Sequence, residues 1–277
     1  MIHLSLLKRQ QGFSLVELMV AVVVGLFIII GISSVYVGSK RSSITTTELS
    51  LLQANGRAVL EQLTAVIQHT GYKSTRSSLD SDMFILGPVT NSQCSDGVDS
   101  VANTTLFSAI ENDTARGDTI GIVYLGDDLL TMDCTGSEIP TNCRLSDTSP
   151  ALTPASKIYN YFKADVNADG MPVLTCAGSL RAEEDEIAEG VENLQINYGE
   201  DVDSDGMADR FVNSDDVSNW NSIVSVNVAV LVRSLRPIAV SASVRSYQLL
   251  DNVVVTPNDK YLRAVFTTTI RLRNATS

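Results

Sequence analysis

The feature that most constrains this chain is a long apolar run close to its N-terminus. After a polar leader that contains Lys8 and Arg9, the sequence is mostly apolar from Phe13 to about Val37, and the only charge in this run is Glu17. Such a run is long enough to cross a hydrocarbon core of about 30 Å as a helix. A carboxylate inside a membrane segment costs about 2.5–3.5 kcal/mol, so we expect Glu17 to have a partner and a purpose.

The order of charge, glycine and apolar run differs from that of an ordinary signal peptide, which is cut after its apolar region and discarded. Here a cut after Gly12 would keep the apolar helix. The combination of Gly12, Phe13 and Glu17 with this run resembles the type IV prepilins. The resemblance implies that a prepilin peptidase cleaves after Gly12 and methylates the new amino terminus at Phe13. The alternative is a simple membrane anchor with a chance acid.

The cost of burying Glu17 also suggests its role. In a fibre of packed helices, the ammonium group of one subunit's Phe13 would lie beside the Glu17 carboxylate of a neighbour. This pairing would satisfy both charges and set the axial stagger of the subunits. We therefore expect Glu17 to act in assembly, in register and recruitment, and not in membrane insertion.

The helical pattern continues beyond the apolar run. Apolar residues recur at steps of three and four, and Gly71 is a plausible helix stop. The stripe consists of Leu52, Gly56, Val59, Leu60, Leu63, Val66 and Ile67. Because an amphipathic stripe needs a cover, the sequence predicts one helix from about Ser14 to Thr70 whose second half lies on a β-sheet.

Three later stretches extend the resemblance to the PilW-type minor pilins of type IV pilus assembly. They are LLQANGRAVLEQL at 51–63 with GY at 71–72, EGVENLQINYG at 189–199, and FTTTIRLRN at 266–274. The resemblance implies an α+β, type IV pilin-like fold, in which a long N-terminal α-helix packs on an antiparallel β-sheet head. The expected parts are a cleaved leader at 1–12, a transmembrane or fibre-core helix at 13–38, an amphipathic helix half at 39–72 and a β-rich head at 73–277.

Alternating apolar residues predict the strands of the head. The predicted strands cover 119–125, 157–163, 171–175, 191–198, 223–233 and 264–273. The strand at 223–233 alternates valine with Ser225, Asn227 and Ala229, which predicts a half-buried strand. The acid-rich segment 182–189 is expected to be a solvated loop or a short helix.

An even number of cysteines follows the anchor, which predicts two disulfides on the exported side of a membrane. The cysteines are Cys94, Cys134, Cys143 and Cys176. Zinc is disfavoured because there is no CxxC, and His3 and His69 are the only histidines. Proximity in sequence would favour Cys134–Cys143. The family resemblance favours Cys134–Cys176 instead, which leaves Cys94–Cys143.

The segment DVDSDGMAD at 201–209 matches the front of an EF-hand-like calcium loop. Its expected ligands are the carboxylates of Asp201, Asp203, Asp205 and Asp209 and the carbonyl of Met207, with Gly206 at the turn. Val212 stands where such a loop has a bidentate glutamate, so a last ligand would come from elsewhere, such as Asp215 or Asp216. The sequence predicts calcium as a cofactor; the competing interpretation is an acidic turn.

A weaker copy of the same motif occupies Asp165–Gly170. It lacks a ligand at Val173, and an Asn-x-Asp-Gly sequence between two strands is more simply a hairpin turn. We therefore expect a turn here and not a second metal site.

The formal net charge of −12 becomes −14 once the leader takes Lys8 and Arg9 with it. This acidity argues against nucleic acid as a partner. No catalytic motif occurs, and His69 is expected to be a polar surface residue, so we predict that the protein is not an enzyme. The lone Trp220 is expected in the core.

The resemblance implies other major and minor pilins, the prepilin peptidase and the inner membrane as partners. Before assembly, the chain would reside in the inner membrane as a single-pass protein with its head in the periplasm. It would then be incorporated into a surface pilus fibre that supports twitching motility. Two alternatives remain open, a pseudopilin of a type II secretion system and a calcium-dependent pilus-tip adhesin.

Overall fold

The structure is a computed structural model that describes residues 14–73, 83–86, 110–114, 116–141, 143–144, 157–178 and 184–275. The chain divides into two compact units, Met1–Thr47 and Glu48–Ser277. The predicted processing residues Gly12 and Phe13 lie outside the described residues, as does Cys94.

One long helix, α1, spans Leu15–Ile67. Its first turn is closed by a capping box, in which the Val16 N–H donates to the Ser14 hydroxyl (3.3 Å) and the Ser14 N–H donates to the Glu17 carboxylate (3.0 Å). The helix ends in a turn at Gly71, whose φ of +70° suits glycine. Both ends agree with the prediction to within a few residues.

The helix changes character along its length. The apolar side chains in its first part, from Leu15 to Val37, are exposed in the isolated chain. From Glu48 onward, residues at steps of three and four are buried, namely Glu48, Leu52, Gly56, Val59, Leu63 and Ile67. This second part supplies one layer of the hydrophobic core of the head.

Eleven strands follow the helix among the described residues. They are β1 Ile110–Thr114, β2 Gly117–Leu125, β3 Lys157–Val166, β4 Pro172–Gly178, β5 Glu184–Glu189, β6 Val191–Glu200, β7 Arg210–Val212, β8 Ile223–Arg233, β9 Ser246–Leu249, β10 Asn252–Val255 and β11 Arg263–Arg271. Nine form one sheet in the order β11-β8-β6-β2-β3-β4-β5, with β1 on β2 and β7 on β6. Strands β9 and β10 form a separate hairpin.

The sheet is mixed and mostly antiparallel, in agreement with the predicted fold of a long helix packed on an antiparallel sheet. The exception is the pair β2 and β6, which run parallel with Gly117 opposite Leu194. Only Gly190, with a φ of +82°, separates the end of β5 from the start of β6, so the chain bends sharply at this residue.

Two layers cover the faces of this sheet. On one face, α1 packs over the even-numbered valines of β8, from Val226 to Val232. On the other face, the β9–β10 hairpin covers Ala229 and Leu231. Strand β8 is therefore buried along almost its whole length, so the prediction of a half-buried strand is wrong. The covering hairpin was not predicted.

The acid-rich segment 182–189 was also predicted wrongly. Residues Glu184–Glu189 form strand β5, which pairs antiparallel with β4. Tertiary pairing supplies its backbone hydrogen bonds and overrides the low strand propensity of acidic residues. Two of its acidic side chains have polar partners. Glu184 forms an ion pair with the Lys163 ammonium at 3.1 Å, and Glu186 accepts a hydrogen bond from the Asn167 amide at 3.2 Å.

A disulfide joins Cys134 and Cys176, the pairing that the resemblance favours, with the Cα atoms 6.3 Å apart. It ties the irregular segment after β2 to β4. Cys143 is disulfide-bonded as well, and Cys94, its predicted partner, lies outside the described residues.

Candidate functional site

The acidic loop, Asp201–Asp209, connects β6 to β7 and is wrapped around one buried carboxylate. The Asp201 carboxylate is 5% exposed and accepts the N–H groups of Ser204 (2.7 Å), Asp205 (3.2 Å) and Gly206 (2.8 Å). Ser204 and Gly206 adopt φ values of +65° and +83° to allow this turn. The local sequence folds this way because a short aspartate side chain can bind the backbone that follows it.

Three carboxylates converge in this loop. Oxygen atoms of Asp201, Asp203 and Asp209 all lie within 4.8 Å of one another. Carboxylate oxygens are the ligands that calcium prefers, and like charges at this separation repel unless a cation or a proton lies among them. The loop therefore has the chemistry to hold a divalent cation, and calcium binding stays a prediction.

The other expected ligands are placed differently. The Asp205 carboxylate accepts the N–H of Met207 at 2.8 Å, and Asp205 is outside the cluster of three carboxylates. Asp215 and Asp216, suggested for the missing last ligand, are exposed and also lie outside that cluster. The loop thus contributes three carboxylates, and any further ligands would be carbonyl oxygens or water.

Glu200, directly before the acidic loop, holds the two ends of the connection between β6 and β8. Its side chain is 1% exposed and accepts from the Arg210 guanidinium (3.0 and 2.7 Å), the Ser218 hydroxyl and the Asn219 N–H (2.9 Å). The Ser218 hydrogen bond, with further help from Arg210 and Asn219, lowers the pKa of Glu200 to about 2 despite the opposing effect of burial. This network was not predicted.

The weaker motif, Asp165–Gly170, forms the turn between β3 and β4. The Asn167 side chain accepts the N–H groups of Asp169 (3.1 Å) and Met171 (3.0 Å), and Gly170 has a φ of +76°. The Asp165 carboxylate meets the Lys163 ammonium at 3.0 Å. These contacts are those of a hairpin turn, as the simpler interpretation expects.

The end of α1 is tied to the end of β11. The Arg273 N–H donates to the Gln68 carbonyl, and the Asn274 amide donates to the carbonyls of His69 and Thr70, each at 3.4 Å. His69 is half-buried in the turn after the helix, edge-on to Tyr124, and burial lowers its pKa with help from Arg273. The expectation of a surface residue on the helix is therefore wrong.

A second buried charge network links β11 to β6. The Arg263 guanidinium is 2% exposed and contacts the Glu192 carboxylate (2.5 and 2.9 Å) and the Asp259 carboxylate (2.7 and 2.6 Å). Arg233 lies 3.6 Å from Glu192 and stacks over the ring of Tyr261.

Trp220, in a short 3₁₀ helix before β8, packs against Phe84 and Tyr198. These groups stabilise the head.

Two family models match the sequence. The model of the prokaryotic N-terminal methylation motif matches residues 7–33, which include Gly12, Phe13, Glu17 and the first turns of α1. With a long N-terminal helix packed on a mixed, mostly antiparallel sheet, this motif defines a type IV pilin. The model described as Type IV Pilus-assembly protein W matches residues 161–274, from β3 to the end of β11. Together, the two matches support a type IV pilin of the PilW family.

Among solved structures, a type IV-like pilin from Thermus thermophilus is similar, with 15% identity and a TM-score of 0.37 over 84% of this chain and 98% of the other. No curated protein sequence matches the chain significantly. Within the described residues, α1 is the one helix long and apolar enough to cross a membrane. It fits a membrane-anchored pilin that is assembled into a pilus.

Proposed function

We propose that this chain is a minor pilin that takes part in the assembly or priming of a type IV pilus. The observation that carries the proposal is the presence of a methylation motif at 7–33 and a PilW segment at 161–274 on one chain. Such a chain is a structural subunit and not an enzyme. Its partners are other major and minor pilins, together with the prepilin peptidase that prepares it.

The proposed path begins in the inner membrane. The apolar part of α1 anchors the chain there as a single-pass protein, with the head in the periplasm. Cleavage after Gly12 exposes Phe13, and the helix then leaves the membrane for the fibre. The exposed apolar side chains from Leu15 to Val37 support this path, because they need either lipid or neighbouring helices around them.

Glu17 has two candidate roles that a pair of substitutions separates. Its carboxylate caps its own helix by accepting the Ser14 N–H at 3.0 Å, and in the fibre it would pair with the ammonium of a neighbour's Phe13. Glu17→Gln keeps an acceptor for the cap and removes the charge, whereas Glu17→Ala removes both. We expect both variants to be processed normally and both to be lost from the fibre. Normal incorporation of Glu17→Gln would show that the charge is not needed.

A clean deletion tests the proposed function. Cells without the chain are scored for surface pili, for twitching motility and for release of exoproteins, and are complemented with the wild-type chain. Lost pili with normal secretion supports the minor-pilin role. Blocked secretion with intact pili would identify a type II pseudopilin instead. Normal pili and secretion with lost calcium-dependent adhesion would identify a tip adhesin.

Calcium at the acidic loop is a further part of this proposal. It is supported by the three converging carboxylates of Asp201, Asp203 and Asp209 and by the turn geometry around Asp201. A bound cation would neutralise the repulsion between these carboxylates and hold the loop in one conformation beside β11. The role is structural, since the loop lies within the head.

A further inference from the structure

The two edges of the main sheet are built differently. Among the described residues, no strand pairs with the outer side of β5 or of β11, which end the sheet. Strand β5 carries four acidic side chains in six residues and a register shift against β4. Charges and irregular pairing are the means by which proteins prevent further strands from adding to an edge. The β5 edge is therefore protected against strand addition.

Strand β11 has none of these protections in its middle. Between Arg263 and Arg271 its sequence is AVFTTTI, seven residues without a charge, a proline or a glycine. β-branched and aromatic residues dominate, and the pairing with β8 is regular over nine residues. Such a segment is a template for an added strand.

The backbone of β11 shows which groups the edge offers. The Leu272 N–H donates to the Val224 carbonyl beside β8, whereas the Arg273 N–H points the other way, to the Gln68 carbonyl. Because the direction alternates along an antiparallel strand, the N–H and C=O groups of Thr267, Thr269 and Arg271 point away from β8. They form a row of donors and acceptors at the spacing that a partner strand requires.

Open space runs along this edge, beside the second part of α1. One cavity of about 330 Å³ lies between Thr268 and helix residues such as Leu60 and Thr64. A second cavity of about 540 Å³ lies farther along, between Thr64, Gly206 and Arg271. A groove with a strand edge on one side and a helix on the other is a suitable shape for an extended peptide.

The charge at one end of the groove indicates the chemistry of the occupant. Arg271 and Arg273 are both exposed there in a chain whose net charge is −12. Among the described residues, the Arg271 guanidinium donates to the Gly206 carbonyl at a long distance of 3.4 Å, so it can also donate to a carboxylate. An acidic residue in the occupying segment would pair with it.

We propose that the outer edge of β11 binds an extended segment of another pilin subunit, which adds to the sheet as a strand and places a carboxylate against Arg271 and Arg273. The proposal rests on the proposed function for the identity of the partner. It makes the PilW head an acceptor in an ordered chain of subunits, because the charged β5 edge cannot accept a strand in the same way.

A proline at Thr269 tests the proposal. Thr269→Pro removes an N–H that points outward and puts a ring in the path of an added strand, yet it leaves the hydrogen bonds to β8 intact. Thr269→Val keeps the N–H and is the matched control. The full chain is expressed in cells, and its amounts in the membrane and in sheared fibres are compared. We expect the proline variant to fall about tenfold or more in the fibres, and the valine variant to match wild type.

Amide exchange of the wild-type chain provides a test that does not depend on a variant. Exchange at Thr267, Thr269 and Arg271 is measured in the detergent-solubilised chain and in sheared fibres. Added-strand hydrogen bonds would slow exchange at these three amides in the fibre. Unchanged exchange, or a proline variant present in fibres at wild-type amounts, would overturn the proposal.

The outcomes separate this inference from the proposed function. If deletion abolishes pili but Thr269→Pro supports them, the minor-pilin function stands and the strand-addition site is wrong. If deletion leaves pili intact, the function itself fails. Self-association of the purified chain that Thr269→Pro abolishes would make a second copy the occupant and overturn the choice of a different subunit. Arg271→Glu, compared with the exposed control Lys260→Glu, tests the carboxylate pairing.

Discussion

Gly56 of α1 lies directly against the ring of Phe266 in β11. A Cβ atom at residue 56 would come within 2.2 Å of the ring carbon Cε2. The absence of a side chain at this one helical position lets the helix and the edge strand approach each other. This contact therefore sets the distance between α1 and β11, and with it the width of the groove beside that strand.

Gly56→Ala should destabilise the head by about 1–3 kcal/mol, because the ring of Phe266 must move out of a packed position. Thermal unfolding of the detergent-solubilised full chain measures the effect. Gly38→Ala is the matched control, since a Cβ there meets nothing within 4 Å and alanine favours the helix. A Gly56→Ala variant as stable as the control would show that the ring moves at no cost.

Patterns that are local in sequence predicted much of this fold. The stripe from Leu52 to Ile67 and the strands β2, β3, β4, β6, β8 and β11 follow from periodicities of three to four and of two residues. The β9–β10 hairpin was missed because Val253, Val254 and Val255 are consecutive, so the sequence there shows no alternation of apolar and polar residues. The parallel pairing of β2 and β6 was not predicted, because it depends on a long-range contact between Gly117 and Leu194.

The candidate sites also divide into those formed by residues close in sequence, which were predicted, and those formed by distant residues, which were not. The acidic loop was predicted because its carboxylates lie within nine residues of sequence, from Asp201 to Asp209. The Glu200 and Arg263 networks could not be predicted, because their members are far apart in sequence. Glu192 lies 71 residues from Arg263, and Ser218 lies 18 residues from Glu200. Only the fold brings such groups together, and no sequence pattern distinguishes them from surface charges.

Arg263→Ala should destabilise the head far more than the loss of an exposed charge does. It leaves the carboxylates of Glu192 and Asp259 close together without their main partner, which costs about 3–5 kcal/mol for a buried pair. The lowered pKa of Asp259, caused first by its hydrogen bond from Arg263, should rise towards its usual value in the variant. Chemical denaturation measures the free energy of unfolding.

Arg245→Ala is the matched control for that measurement. Its side chain is exposed and donates to the Ser243 hydroxyl at 3.2 Å, so its removal should change the free energy of unfolding by less than about 1 kcal/mol. If both variants lost the same free energy of unfolding, the importance of burial at Arg263 would be contradicted.

Glu200 should make the stability of the head depend on acid pH. Its pKa is lowered from 4.5 to about 2 in the folded chain, so its stabilising effect is complete above about pH 4.5 and is lost as the pH falls through about 2. Glu200→Gln should therefore cost about 1–3 kcal/mol at neutral pH. The difference in the free energy of unfolding between the variant and wild type should become smaller as the pH falls over that acidic range.

The exposed pair of Glu138 and Arg144 provides the comparison. Glu138→Gln breaks a 3.3 Å ion pair whose glutamate is 57% exposed, and it should change stability by less than about 1 kcal/mol. Thermal unfolding at several pH values follows both variants. A Glu200→Gln curve parallel to that of wild type over the acidic range would contradict the assigned pKa.

Calcium should raise the thermal stability of the full chain in detergent. A ligand at a hundred times its dissociation constant stabilises the native state by about 2.7 kcal/mol, so a shift of several degrees is expected at millimolar calcium. Asp203→Ala should abolish this shift. Because Asp203 is exposed and its charge repels Asp201 and Asp209, the variant should be no less stable than wild type without calcium.

Asp169→Ala is the matched control for the calcium measurement, because Asp169 lies in the related sequence of the β3–β4 hairpin turn. That variant should keep the full calcium shift, since its turn has the contacts of a hairpin and no cluster of carboxylates. Magnesium should give a smaller shift than calcium, because it demands a stricter octahedral geometry than a loop with three carboxylates offers. If wild type shows no shift at millimolar calcium, the acidic loop is a turn whose charges serve solubility alone.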